Sequence, residues 1–562
     1  MKKIFNTLAV LALLSVAFTS CEKRLEVSNP NYFTDDQMAE YMASSPEAEQ
    51  QVLKGLVGDL PGYINYYNAD MNGGYSNNYA YESNFELRRF MQSGDVVEGD
   101  ELNQGTYTTW YQNLASNTYW RTNDDIQNYG YYLGPVHKLH PAQKALDFLT
   151  EDKVKQYPTM ASSRAQALTL KALCYMLLME RYTDLSDVTS TTKQGWPVYD
   201  KFDYNAAKEP LTVKETWEYV NKTFKEAVDL FHKSTLGTEG YTVGKEVDQI
   251  YDIDCAVAQY YRCRAALDSK DWATVIEAGE ELLSHFPNFI AAADYGMDTD
   301  LLPAVNERKN ISDETPAGTA WGGTTFNAAR NAFFNLEKNP EAIFGGARGS
   351  SNIFWSNAGF NPLKRGPSGY YQIDKGIYNQ MSDNDCRKKC ILPEAFEGLH
   401  IYSNNGTDTT WFSYTVPALT SFKWAASEAI GYANHTNDAT TSDNIYLRSS
   451  AVLLMVAEAY AQDGKDAQAK ALLDKLLAAR TVSGAPTMTC DNTMGGKSVL
   501  DMVKLQWRIE MWGEGDWAFF NQKRWGVQNQ RGSNHWSTTQ IPDQGWIWEI
   551  PQKERQGNPY WK

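Results

Sequence analysis

The stretch that most constrains the fold is Asp443–Arg480, DNIYLRSSAVLLMVAEAYAQDGKDAQAKALLDKLLAAR. Leu453, Val456, Ala457 and Tyr460 recur at three- and four-residue spacing and so fall on one apolar stripe of a helix. Gly464 interrupts the pattern where a helix end calls for a left-handed residue. Asp466 is placed to cap a second helix, in which Ala469, Leu472, Leu473 and Leu476 form another stripe. The reading is a pair of helices joined by a tight turn, with small residues where the two must approach closely.

The same six positions, Leu453, Val456, Ala457, Tyr460, Ala469 and Leu473, fit the tetratricopeptide template W-x2-L-G-x2-Y followed by A-x3-F, in register. An ordinary αα-hairpin accounts for the pattern equally well. Further amphipathic stretches are predicted at Thr34–Leu60, after Pro141, at Met160–Tyr182 with Leu168, Ala172, Tyr175 and Met179 on one face, and at Leu211–His232 with Thr212 as cap. Asp254–Leu267 and Asp271–Phe286 read as another hairpin, and Met502, Leu505, Ile509 and Trp512 mark a helix ending at Gly513 and Gly515. Helical pairs therefore recur, at a spacing too irregular for a regular solenoid.

Two segments break this pattern. Residues 62–132 and 301–441 are rich in Gly, Asn and aromatics, as in GYINYYNADMNGGYSNNYAY. Aromatics make up 13% of the chain, with 34 Tyr and 17 Trp, which is more than helix stripes call for. Long irregular segments inside a compact protein are usually functional or disordered, and so many aromatics argue against disorder.

The first twenty residues read as a leader. Lys2 and Lys3 precede the apolar run Leu8–Phe18, which is too short to span a bilayer comfortably, and the small residues Thr19 and Ser20 lead to Cys21. This resembles a bacterial lipoprotein signal, in which Cys21 would become the lipidated N-terminus; the alternative is a plain secretory signal with a chance cysteine. Residues 21–33 read as a polar tether. No later stretch is apolar for eighteen residues. The formal charge of −17 argues against nucleic acid as a partner.

Catalytic and metal motifs are missing from the sequence. There is no H-E-x-x-H, G-x-S-x-G or dinucleotide fingerprint, and Asp491 occupies the leading glycine position of the phosphate-loop-like Gly496-Lys497-Ser498. The spacing of the six later cysteines matches no zinc motif. Cys255 and Cys263 read as core residues, while Cys386 and Cys390 in CRKKC could bind metal or form a bridge. Asp383-Asn384-Asp385 could join a calcium site or be a solvated turn. No cofactor is expected.

Four blocks resemble the SusD/RagB family of outer-membrane nutrient-uptake lipoproteins: the leader ending at Cys21; RAQALTLKALCYMLLMERYTD; LRSSAVLLMVAEAYAQDGKDAQAKALLDKLLAAR; and WRIEMWGEGDWAFFNQKRWG. Arg448, Glu458, Arg480, Arg508, Glu510, Glu514, Gly515, Lys523 and Arg524 match family positions; Thr183, Ala451 and Asn521 depart from the usual Gly, Glu and Asp. The resemblance implies one all-α domain over residues 34–562, built on four tetratricopeptide-like helix pairs with a loop-rich ligand-binding lobe. It also implies a non-enzymatic role. The ligand would be a glycan, or a peptide in one branch of the family, delivered to a TonB-dependent, SusC-like barrel at the outer membrane. Two other classes stand beside it: a surface glycoside hydrolase, whose carboxylate pair is a spatial requirement not visible in sequence, and a helical-repeat scaffold that binds only protein.

The expected ligand contacts are aromatics of the two irregular segments, because a sugar ring offers an apolar C–H face to Tyr or Trp while amide and charged groups meet its hydroxyls. Tyr79, Tyr81 and Trp110 are the candidates in the first, with Arg88 as polar partner. Trp321, Trp355 and Tyr370, with Asn352, are the candidates in the second. Trp120 and Trp217 fall in helical patterns and are expected in the core. The two groups are expected to converge although they lie far apart in sequence.

Overall fold

The computed structural model describes residues 35–64, 89–98, 126–201, 207–233, 252–303, 331–334, 339–346, 362, 370–404, 409–425, 444–535 and 537–562. The chain divides into a unit ending at Leu56 and a larger unit from Val57 to Lys562. The first contains α1 (Asp35–Met42) and most of α2 (Pro46–Gly58). Here the single helix expected over residues 34–60 is broken. Ser45 Oγ accepts the N–H of Ala48 and so starts α2 afresh, and Tyr41 Oη donates to Gln51 Oε1 at 3.1 Å across the turn.

The larger unit is mostly helical. Among its described residues, eight helices have twelve or more residues, the number that four helix pairs require: α3 (Ile126–Phe148), α4 (Ala161–Tyr182), α5 (Val213–Lys233), α6 (Cys255–Asp268), α7 (Trp272–His285), α8 (Ser449–Gln462), α9 (Asp466–Ala479) and α10 (Val499–Glu510). Each packs against the next in sequence. A ninth, shorter helix, α11 (Trp517–Trp525), follows and touches α10.

The helix ends obey local chemistry. Thr212 Oγ1 accepts from the N–H of Glu215 while the Glu215 carboxylate accepts from the N–H of Thr212, a reciprocal capping box for α5. Asp254 and Asp271 cap α6 and α7 through the N–H groups of Val257 and Thr274. Gly464 adopts φ +72°, as its position after α8 demands. Asp466, by contrast, makes no cap hydrogen bond. It is the first residue of α9, where its charge faces the helix dipole.

The α8–α9 pair is core scaffold. Ala457, Ala469, Leu453, Val456 and Leu473 are fully buried, and Tyr460 nearly so. On its other side α8 meets α7, closely enough that a Cβ added at Gly279 would lie 2.1 Å from Val456 Cγ2. A helix enclosed on two sides loses its amphipathic pattern. α4 is therefore buried almost all round rather than only along Leu168, Ala172, Tyr175 and Met179. Trp217, Cys255 and Cys263 are buried as expected; Trp120 lies outside the described residues. α3 begins well before the predicted start after Pro141 and holds both Pro135 and Pro141. The amide donors lost at these prolines are outweighed by its packing on α4.

Between α7 and α8 the chain makes a long excursion, residues 286–448, yet the two helices pack directly on each other. The excursion is not wholly irregular. It contains β2 (Ala342–Gly346), β3 (Tyr371–Ile373), and a hairpin of β4 (Phe396–Asn404) and β5 (Thr409–Val416); β6 (Asn444–Arg448) runs directly into α8. β2 pairs antiparallel with β6. β3 pairs with β1 (Val96–Glu98), the described end of the first irregular segment.

Candidate functional site

The β1–β3 pair joins the two aromatic-rich regions in antiparallel register: Val96 opposite Ile373, Val97 opposite Gln372, and Glu98 opposite Tyr371. The segment leading into β1 is fastened to the C-terminal motif block. Arg89 forms a two-pronged ion pair with Asp516, at 2.5 and 2.6 Å. Gln522 Nε2 donates to Ser93 O, Arg508 Nε to Asp95 Oδ1 at 2.8 Å, and Trp512 Nε1 to Asp95 O at 2.9 Å. Burial raises the Asp95 carboxyl above its usual range, and Arg508 only partly offsets it. Behind β3, Asp374 caps a short turn and accepts from Gly532 N and His535 Nε2, which ties the tail to the same place. Burial alone would raise Asp374, but these hydrogen bonds and Arg508 hold it below its usual value.

Beside this junction lies a buried cluster of eight charged side chains, four of each sign: Arg387, Lys423, Arg448 and Arg480 against Glu341, Asp385, Glu510 and Glu514. Glu510 sits at its centre. Its carboxylate accepts from Arg387 at 3.0 Å, from Arg448 at 2.7 Å, and from Arg480 at 2.7 and 3.0 Å. Desolvation opposes the charge, but three guanidiniums overcome it and hold Glu510 well below the usual carboxylate range. Glu341, from the excursion, bridges Arg448 and Arg480 and accepts the N–H of Ile290 at 2.7 Å. A charge buried this deeply is tolerated only when paired, which explains the equal numbers.

Four of these eight belong to motif blocks, although sequence does not pair them. Arg448 and Arg480 flank the α8–α9 hairpin, and Glu510 and Glu514 follow from the last motif block. Glu341, Arg387 and Lys423 carry no periodic or motif signal; Asp385 pairs locally with Arg387, but the links of Glu341, Arg387 and Lys423 to the motif blocks span long stretches of sequence. A second buried pairing holds α11 to α8. Glu458 accepts from Arg524, Trp507 Nε1 and Trp525 Nε1, while the amide of Asn521, standing for the usual acid, accepts from Arg524 at 2.6 Å. Lys523 donates to the last carbonyls of α4.

Of the predicted ligand contacts, Tyr79, Tyr81, Arg88, Trp110, Trp321, Asn352 and Trp355 lie outside the described residues, as does Cys21. Tyr370 is described, and it is 2% exposed at the start of β3. The strand that follows it is paired with β1 on one side and bridged to Thr420 on the other. Asp383-Asn384-Asp385 forms a turn rather than an ion cradle: Asp385 caps residues 386–389 and grips Arg387, while Asp383 pairs with Lys388. Cys386 and Cys390 are buried free thiols, and burial pushes both upward in pKa. Among the described residues no group of three or more His, Cys, Asp and Glu could hold a metal. A small cavity bordered by Tyr295, Ile373, Arg387, Ser421, Lys423 and Trp512 has room for a single water and none for a sugar.

The fold and junction define a class: helix pairs carrying a large inserted lobe whose stems are fastened by buried ion pairs. Residues 350–559 match the model of the SusD family. The chain is similar over 91% of its length, at 17% identity and TM-score 0.56, to 96% of a SusD-like carbohydrate binding protein from Bacteroides vulgatus. It is similar over 92%, at 16% identity and TM-score 0.57, to 99% of a SusD superfamily protein from Bacteroides fragilis. A third likeness, over 90% of the chain at 15% identity and TM-score 0.54, is to 96% of surface glycan-binding protein A from Bacteroides fluxus. Among curated proteins none matches. The chain thus resembles the SusD family over residues 350–559 and shares its fold with these solved structures.

Proposed function

We propose that this protein captures oligosaccharide or polysaccharide at the outer face of the outer membrane and passes it, unaltered, to a TonB-dependent, SusC-like transporter. The observation that carries the reading is the β1–β3 pairing, by which the stems of two aromatic-rich segments meet at one place. Chain segments that leave this place hold Tyr79, Tyr81, Arg88 and Trp110 on one side and Trp321, Asn352 and Trp355 on the other. Stacking by such residues requires no nucleophile and no perturbed acid. The names of the B. vulgatus and B. fluxus proteins, a carbohydrate binding protein and a surface glycan-binding protein, support the same ligand class. Lipidation at Cys21 would supply the anchor.

The deciding experiment is titration calorimetry of the mature protein against starch, laminarin, arabinoxylan and galactomannan, with reducing ends followed in parallel. Binding without release of reducing ends is expected; turnover would point to a hydrolase, and failure to bind any of the four would overturn the glycan reading. Cys21→Ala is expected to move the protein to soluble fractions, and a variant retained on membranes would remove the anchor.

A further inference from the structure

Lys423 is a buried lysine, 3% exposed, at the meeting point of several pieces of the excursion. Its ammonium donates to the main-chain oxygens of Glu510 at 2.9 Å and Trp512 at 2.8 Å, where α10 ends, and to the Glu514 carboxylate. These are carbonyls that a helix end leaves without partners, and a cation is favoured there. The aromatic rings of Phe333, Trp424 and Tyr295 surround the charge at 4.9, 5.3 and 5.9 Å. The backbone around Lys423 is equally engaged. Asn331 Nδ2 donates to Lys423 O and Ala425 O, both at 3.0 Å. Phe422 exchanges backbone hydrogen bonds with Met297 and Cys390, and Ser421 N donates to Tyr371 O. Gly296, at φ +63°, passes so close that its Cβ would lie 3.0 Å from Lys423 Cα.

Described residues of four separate stretches, 295–297, 331–333, 371 and 390, are thus fixed against 421–425, and Lys423 fixes 421–425 to the helical scaffold. The chain leaves these residues toward the segments that hold Trp321, Asn352 and Trp355. We propose that Lys423 is the positioning residue of the ligand-binding lobe: it touches no ligand, and it sets where the segments bearing the candidate aromatics begin. The ligand part of this inference rests on the glycan reading above; the pinning does not. A compact ammonium with three donors satisfies two carbonyls and a carboxylate at once within the aromatic enclosure. A methionine would fill much of the same space, take this donor from Trp512 O, leave Glu510 O and Glu514 to Arg448, and unbalance the four-to-four cluster.

The test compares Lys423→Met and Lys423→Arg by amide hydrogen exchange, together with calorimetric affinity for whichever of starch, laminarin, arabinoxylan or galactomannan the wild type binds best. Lys423→Met is expected to speed exchange at residues 331–334, 371–373 and 419–425 by tenfold or more, to leave α8 and α9 unchanged, and to weaken binding at least tenfold. Lys423→Arg should recover most of both. Asn331→Ala, which keeps all eight charges, is the second variant and should loosen 419–425 in the same pattern even if Lys423→Met fails to fold. Equal acceleration in α8 and α9 would make Lys423 a general stabiliser and overturn the proposal. Loosened stems with undiminished affinity would overturn it as well. A wild type that binds none of the four polysaccharides would remove the glycan reading, and the exchange pattern would still decide the pinning.

Discussion

The α8–α9 hairpin and the charged cluster at its ends are neighbours held by opposite means. Inside the hairpin, fully buried alanines and leucines pack without direction, so the contact depends on volume and little on angle. At its ends, Arg448 just before α8 and Arg480 just after α9 enter a cluster in which each charge depends on a partner supplied from elsewhere in the chain. The hairpin specifies itself locally. The cluster specifies which distant segments may dock on it, because a wrong partner there leaves a buried charge unpaired.

The contrast can be broken hardest at its centre. Glu510→Leu takes one carboxylate from three guanidiniums, leaves the buried cluster with a net positive charge, and is expected to cost about 3–5 kcal/mol in urea unfolding. A loss below 1 kcal/mol would mean that the cluster contributes little to holding the two regions together. The scaffold side should suffer less from overpacking: Ala457→Phe, Ala469→Phe and Gly279→Ala should each cost about 1–3 kcal/mol. For Gly279 the reason is that an added Cβ would collide with Val456 Cγ2. Unchanged melting temperatures in all three would mean the helix register is wrong.

On the lobe side, Trp321→Ala and Trp355→Ala should weaken glycan binding by about 1–3 kcal/mol if sugar stacking resembles other aromatic platforms. Melting temperature should not move. Unchanged affinity in both variants would exclude these two platforms.

The smallest effect is a pH slope. Burial, only partly offset by Arg264, raises Glu180 to about 8, so the folded state binds a proton that the unfolded state releases above about 4.5. Its contribution therefore makes stability fall as pH rises from 4.5 through 8. Glu510, held low by its guanidiniums, acts in the other window: its stabilisation is present above 4.5 and is lost as pH falls through its folded value. Melting temperature should rise modestly from pH 7 to pH 5 and drop in stronger acid, and Glu180→Gln should flatten the first limb. An equally steep rise in Glu180→Gln would assign it to other groups.

How much of this was legible follows from how local each cause is. The α8–α9 stripes, the left-handed Gly464, the cap at Thr212 and the helix starts at Asp254 and Asp271 involve residues within a few positions of one another, and all were readable; the cap expected at Asp466 is not made. The roles of Arg448, Arg480, Glu510 and Glu514 could be marked by motif but not paired. Lys423, Glu341 and Arg387 could not be marked at all, since the contacts that join them to the motif blocks are long-range: Lys423 Nζ to Glu510 O spans 87 residues, Glu341 to Arg448 107, Arg387 to Glu510 123. The β4–β5 hairpin was missed because the Gly-, Asn- and aromatic-rich segment around it was read as one irregular stretch. Tyr370 was misjudged for a related reason: whether an aromatic in an irregular stretch is exposed depends on strand pairing with β1, far upstream.

The direct packing of α7 on α8 has a thermodynamic consequence. The whole excursion 286–448 is, for the scaffold, a closed loop whose two ends are held by the Gly279–Val456 approach. The entropy of closing a flexible loop grows only with the logarithm of its length, so doubling or halving such an insertion changes that cost by about 0.6 kcal/mol. The part of the chain that would read the ligand can therefore gain or lose whole segments at almost no expense to the helices beneath it, provided the residues that plug into the charged cluster are kept.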